Sequence, residues 1–436
     1  MRRVLAASVI LLLAAGHAPP ARAAGTGIQR VSVSRAGAQA DRISTSAVIS
    51  GDGHHVAFIS FATTLVAGDV NDNPDAFVRD LRTGRVERVN VPGGERQSYL
   101  GIENVAISRT GRYAAFSTAA PDVVPGDTNG APDVFVRDRT AGPTTRVSVP
   151  AAGGQANGAS GIGPGALSGD GRYVVFWSAA TNLVPGDTNQ GEDFFVRDLK
   201  RGTTTRVDVS TAGKQGNQRG IAGRQAAISA DGRYVAFLSP ATNLVPGDTN
   251  EATDVFVRDR RLGRTGRLSI STAGAQAAQR SDEVAISAGG RYVGFRSWAP
   301  NLVAGSPGTD PGIYVRDMVA HTTERVSLTT TGAPLNREAS GVSLSADGRY
   351  VTFHTAADAV TPGTADPPVF DAYVRDRRRA TTTRIPVTPD GRAVNGHSYG
   401  TTLSADGRRA AFTSAASDLV PGDTNNEPDA FVRRLR

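Results

Sequence analysis

A closed β-propeller of seven four-stranded blades is the architecture that this 436-residue sequence predicts. Three observations predict it: one motif recurs seven times, four strand signals lie inside each recurrence, and the two ends of the chain are complementary. The arginine of the "VRD" motif stands at Arg79, Arg137, Arg197, Arg258, Arg316, Arg375 and Arg433, with spacings of 58, 60, 61, 58, 59 and 58 residues. A period of this length containing only strand signals means units that bury their faces against neighbours, as in propellers and solenoids.

The fourth unit shows the elements in order: "RQAAIS" (224–229), "RYVAFLS" (233–239), "DVFVRD" (254–259) and "GRLSIS" (266–271). The middles of the first three are apolar on both faces, as expected of strands sandwiched between neighbouring sheets. The fourth alternates, which places it outermost with one face wet. Pro386 falls in such an outer stretch, where a sheet edge tolerates proline. The chain opens on a lone outer strand, "RVSVS" (Arg30 to Ser34), and closes after a third strand, "DAFVRRLR". Pairing the two completes a seventh blade and removes the free edges of an open stack.

Asp-Gly in "SADGR" (Ser229 to Arg233 and its copies) marks a tight hairpin between first and second strands. The connection from third to fourth strand, as in "RDLRTGR" (Arg79 to Arg85), is also short, so these two turns share one rim. The long connections, second to third strand and blade to blade, share the other rim. That long-loop face is where binding is expected, because loops on a rigid scaffold carry it.

The first residues, "MRR", then "VLAASVILLLAAG", then "ARA", have the layout of a secretory leader cleaved between Ala23 and Ala24. Residues 1–23 are therefore read as a leader and 24–436 as a single exported propeller. The apolar run is too short to span a bilayer comfortably, and the chain has no cysteine to form disulfides. Removing Arg2, Arg3 and Arg22 from the formal charge of +7 leaves about +4, too mild to argue for nucleic acid.

Five units keep the pattern Asp-x-Asn-x-x-x-Asp: Asp69, Asn71 and Asp75; Asp127, Asn129 and Asp133; Asp187, Asn189 and Asp193; Asp248, Asn250 and Asp254; Asp423, Asn425 and Asp429. Three oxygen side chains so spaced resemble half of a calcium site, which needs about six to eight oxygens. The alternative is that Asp and Asn fold back on their own backbone as Asx-turns. The fifth and sixth units depart, with "AGSPGTD" and "TPGTADPP".

The Arg of "VRD" and the Asp of "ADG" both approach the short-turn rim, where an ion pair or hydrogen-bond clasp explains their recurrence. Gly289 replaces that Asp in the fifth unit, whose clasp is then expected to be weakest. "GHSYG" (Gly396 to Gly400) matches a nucleophile elbow in letters only, since a strand and not a helix follows. The histidines His54, His55, His321, His354 and His397 lack metalloprotease spacing and are assigned to packing or surface. Trp177 and Trp298, at the long-loop ends of second strands, are assigned to packing, with sugar stacking as the alternative.

"LSADGRYVTF" (344–353), "ISADGRYVAF" (228–237) and "DVFVRDRRLG" resemble the TolB-like, WD40-like (PD40-type) propeller repeat, over roughly residues 28–436. The resemblance implies a propeller; it implies little about function, since such repeats occur in transport accessory proteins, peptidase-associated propellers and carbohydrate-active enzymes. The "LVPGDTNxxxD" insertion departs from that repeat. Without convergent unique acid and base residues, the sequence favours a monomeric, non-catalytic binding or scaffold module with a protein or cell-envelope glycan partner. The alternative is a propeller-type polysaccharide lyase or glycosidase, marked by a histidine, arginine and carboxylate cluster at the axis.

Overall fold

The structure, a computed structural model, describes residues 27–92, 98, 100–217, 223–306, 310–361 and 369–435. The leader expected over residues 1–23 lies outside them. Among the described residues, twenty-eight strands form seven antiparallel four-stranded sheets arranged as blades. Blade four is typical: Ala226–Ile228, Tyr234–Ser239, Asp254–Asp259 and Arg264–Arg267, paired in sequence order.

The core of each blade is built by a repeated aromatic pair. The Phe of "YVAF" on the second strand stacks on the aromatic of "DVFV" on the third, in all seven blades, with ring centroids 5.6–5.9 Å apart. All of these rings are buried. Valine and alanine beside them fill the gaps between blades, which is why these strands carry no polar face.

Blade seven closes the ring as predicted. Ile28, Gln29 and Arg30 pair antiparallel with Arg433, Val432 and Phe431, so the first strand is the outermost strand of the last blade. Outer strands nevertheless lie about two residues earlier than the alternating pattern suggests. They end at the arginine (Arg30, Arg146, Arg267) where the sequence reading had them begin. Beyond it, one more backbone bond forms, such as Val147 N–H to Val134 O (2.7 Å), and the Val-x-Val alternation then continues outside the ladder. Pro386 accordingly follows the outer strand Thr381–Arg384 and does not sit in it.

Two devices join blades. The "VRD" arginines do not pair with the turn aspartates. Six of them reach back to carbonyls just past the outer strand of the preceding blade, as in Arg79 to Val33 O (2.7 Å), Arg258 to Ser210 O (3.0 Å) and Arg433 to Ile385 O. At the axis, in five of the seven blades, the residue after the first strand's serine donates its N–H to its counterpart in the next blade. Arg109 bonds Gly169, Gly169 bonds Ala230, Ala230 bonds Ala288, Ala346 bonds Ala405 and Ala405 bonds Gly51 (2.8–3.2 Å), a girdle around the short-turn end.

Candidate functional site

The fifteen residues of the repeated loops come together blade by blade, all on the long-loop rim. Each Asn carbonyl accepts the N–H two residues on: Asn71 from Asn73, Asn129 from Ala131, Asn189 from Gly191, Asn250 from Ala252, Asn425 from Glu427 (3.0–3.3 Å). The intervening residue takes a left-handed φ of 52–64° at Asp72, Gly130, Gln190, Glu251 and Asn426. These are Asx-turns.

The two aspartates of each loop face one arginine from the end of their own blade's outer strand. Arg88 reaches Asp69 (3.7 Å) and Asp75 (3.0 Å), Arg146 reaches Asp127 (3.3 Å) and Asp133 (3.7 Å), and Arg206 reaches Asp187 (2.7 Å) and Asp193 (3.5 Å). Arg267 reaches Asp248 (3.1 Å) and Asp254 (3.4 Å), and Arg30 reaches Asp423 (2.9 Å) and Asp429 (3.2 Å). A second donor completes the inner aspartate: Ser32 to Asp429 (2.5 Å), Asn90 to Asp75 (2.5 Å), Ser148 to Asp133 (2.5 Å) and Ser269 to Asp254. Calcium would need these oxygens free, but the carboxylates face a guanidinium and the Asn oxygens face backbone amides. As folded, the set does not fit the ion. Among the described residues, no group of three or more His, Cys, Asp or Glu side chains is arranged to hold a metal.

Blade three breaks this pattern. Asp208, only 4% exposed, stands where the other blades with this loop have Ser or Asn, and faces Asp193. Burial first, and the Asp193 charge second, push its carboxyl well above the usual range.

The short-turn clasp exists with different partners. The arginine of "DGR" grips the aspartate of "VRD": Arg112 with Asp138, Arg172 with Asp198, Arg233 with Asp259, Arg291 with Asp317 and Arg349 with Asp376, at 2.7–2.8 Å. The turn aspartates instead cap their own hairpins, as where Ser229 Oγ donates to Asp231 (2.6 Å). Blade five, despite Gly289, keeps its clasp at full strength. Arg291 binds both oxygens of Asp317 and, as the largest cause, holds that carboxyl far below its usual range.

Residues that the repeat concealed converge at the axis. Residues at the inner edges of all seven blades, Glu283 and His354 among them, line a cavity of about 280 Å³, and charged side chains of blades five and six stand beside it. Arg296 donates to Glu338 (2.8 Å) and lies 3.6 Å from Glu283 and 3.9 Å from Asp282. Its guanidinium and that of Arg280 cover Trp298, at 4.4 and 4.0 Å from the ring centroid. Glu283 sits at a bulge with φ 48° and accepts the N–H groups of Gly341 (2.6 Å) and Val342 (3.2 Å) from blade six. Burial raises the carboxyls of Asp282 and Glu283. His354 packs over Gly341, where a Cβ would come within 2.1 Å of its Nδ1. Burial, and then Arg296, lower His354 to about 4, so its ring is neutral near pH 7.

Arg296 and His354 occupy one column of the repeat, filled elsewhere by Ile59, Ser117, Trp177, Leu238 and Thr413. Comparing that column across blades was the signal available in the sequence. Trp177 is buried beneath Arg224 (4.1 Å), which binds Glu192 (2.5 Å). His397 accepts the N–H of Phe370 (3.0 Å), and Ser398 is a buried strand residue bonded to Ser414 (2.8 Å).

The fold thus defines the class, a closed seven-bladed β-propeller. No family model and no curated protein matches the chain. Solved structures do. An oligogalacturonate lyase from Vibrio parahaemolyticus is 11% identical with a TM-score of 0.54, covering 94% of this chain and 93% of that one. The β-propeller domain of the trilobed protease from Pyrococcus furiosus, which has an open velcro topology, is 10% identical with a TM-score of 0.53, covering 91% and 95%. TolB from Acinetobacter baumannii is 14% identical with a TM-score of 0.43; 77% of this chain is covered, and it spans 64% of that protein. The lyase and the protease domain share the propeller fold with this chain.

Proposed function

We propose that the chain is an exported, monomeric binding propeller that holds a protein or cell-envelope glycan at the long-loop mouth of its axis, without chemistry. One observation carries the reading. In a ring whose other polar side chains mostly repeat, the non-repeating Glu283 and His354 line one cavity, and Arg296, within 4 Å of Asp282, Glu283 and Glu338, stands beside it. The Asx-turn loops are read as clasps that set the rim, with arginine in place of a calcium ion.

The enzyme reading is favoured by the same cluster, since a histidine, an arginine and carboxylates at the axis are the mark set out above for a propeller-type lyase or glycosidase, and a buried neutral imidazole beside a guanidinium and carboxylates suits proton transfer. Two of the structural relatives are oligogalacturonate lyases, one in complex with manganese. An acidic sugar fits this mouth poorly, because three carboxylates already surround Arg296.

Solubilised envelope material and a glycan panel test both readings. Capture by the wild type but not by Arg296→Ala with Glu338→Ala supports the mouth as the site, and equal capture by both overturns it. Sugar release from a polysaccharide by the wild type and not by His354→Ala would replace binding with catalysis.

A further inference from the structure

The opposite face has a feature that its structural role does not use. The short turn between third and fourth strands is fixed by its aspartate, which accepts the N–H groups two and three residues on. Asp198 takes Lys200 and Arg201, Asp259 takes Arg261 and Leu262, Asp317 takes Val319 and Ala320, and Asp376 takes Arg378 and Arg379 (2.9–3.2 Å). The turn ends in a left-handed residue each time: Gly202, Gly263, His321 and Ala380, φ 54–66°. Four consecutive blades therefore hold their tips alike and display the side chains outward.

Those side chains are cationic and apolar. Lys200, Arg261, Arg378 and Arg379 are exposed. Leu262 is 57% exposed and Val319 67%, two of the few large hydrophobics so exposed among the described residues. The aspartates of these turns are neutralised by the bidentate clasps of Arg172, Arg233, Arg291 and Arg349, so the tips present net positive charge. The exposed carboxylates Asp170, Asp231 and Asp347 lie on the inner turns, nearer the axis, and each is capped by its own serine; Asp347 also lies 3.9 Å from Arg378, so the cations of the tips outnumber these acids without standing wholly apart from them. No helix among the described residues is long and apolar enough to cross a membrane.

We propose that the outer short turns of blades three to six form a docking surface for an anionic lipid bilayer. The cations meet headgroup phosphates, while Leu262 and Val319 enter the headgroup region. Charge complementarity and the shared rim argue for an extended planar anion, and exposed apolar tips among the cations suit a lipid interface better than a soluble polyanion. The long-loop mouth would then face away from the membrane.

Flotation with phosphatidylcholine vesicles, with and without phosphatidylglycerol, tests this using the full mature chain. Binding is expected only with phosphatidylglycerol, weakening as salt rises. Arg261→Gln and Arg378→Gln should each weaken partitioning about fivefold. Leu262→Ser with Val319→Ser should remove most of what survives at high salt, with thermal melts unchanged because these tips support no packing. Equal binding to neutral vesicles, or binding to neither kind, overturns the proposal. So does release by inorganic phosphate at matched ionic strength, or retention of soluble polygalacturonate in preference to vesicles, which would make the patch a site for free anions.

Discussion

Asp208 and Asp138 show how one side-chain type takes opposite protonation behaviour in one repeat. Asp208 replaces the hydroxyl or amide that four other blades use to satisfy the inner loop aspartate, and once ionised a carboxylate has no hydrogen to give. Asp208→Ser should therefore stabilise the protein by ~1–3 kcal/mol at pH 8, the scale of a buried group whose needs are met instead of ignored. The folded carboxyl is raised, so its favourable contribution is present below the unfolded value and lost as pH rises. The gain on substitution should accordingly shrink in melts taken towards pH 4; a gain independent of pH would mean that Asp208 is ionised throughout. Asp138 has the reverse sign. The Arg112 hydrogen bond, its largest cause, lowers it from 3.8 to about 2, so the clasp stabilises above pH 4 and is lost as pH falls towards 2. The melting difference between wild type and Arg112→Ala should close over that interval.

At the scale of strands and turns, hairpins and loops were legible because their signals are local. Asp-Gly and Asp-x-Asn fix their own backbone within a few residues, and they fold as Asx-turns and caps. What each carboxylate pairs with was not legible, since its arginine lies 19 residues away in Arg88 and Asp69, and at the far end of the chain in Arg30 and Asp423. The outer-strand boundaries slipped because the alternation continues after the ladder stops. The axial cluster was hidden for a different reason: Arg296 and His354 sit inside strands whose other residues read as core. Two outcomes follow for the turns. Asp231→Gly should cost about 1 kcal/mol through loss of the bonds from the Ser229 hydroxyl and the Arg233 N–H, with partner binding intact; lost binding at unchanged stability would mean that the two faces are misassigned. If arginine is the cation of the loops, melts should be indifferent to calcium and to EDTA. A calcium-dependent rise abolished by Asp187→Ala with Asp193→Ala would show that the ion displaces Arg206.

For the whole molecule, closure is the feature on which the others depend. Removing residues 24–35 takes away the Ile28–Arg30 strand, the Ser32 bond to Asp429 and the Arg30 bridge to Asp423 and Asp429. It also opens a row of unpaired groups on Asp429–Arg434. The truncated protein should lose about 5 kcal/mol or more, a large share of the margin of an ordinary domain. Equal melting temperatures for truncated and full forms would refute the closed ring. The same joint sets an order in time. Ile28 is among the first residues of the ring to be synthesised and Arg433, its partner, is among the last. Such distant pairing is slow, because the loop must close before any contact rewards it. Six blades can assemble as the chain emerges, but the seventh waits for both ends, and until then the nascent molecule is an open arc with sticky edges. The late-arriving joint makes synthesis of the strand Asp429–Arg434 the event that locks the fold, so a protein truncated anywhere before that strand never acquires a seventh blade.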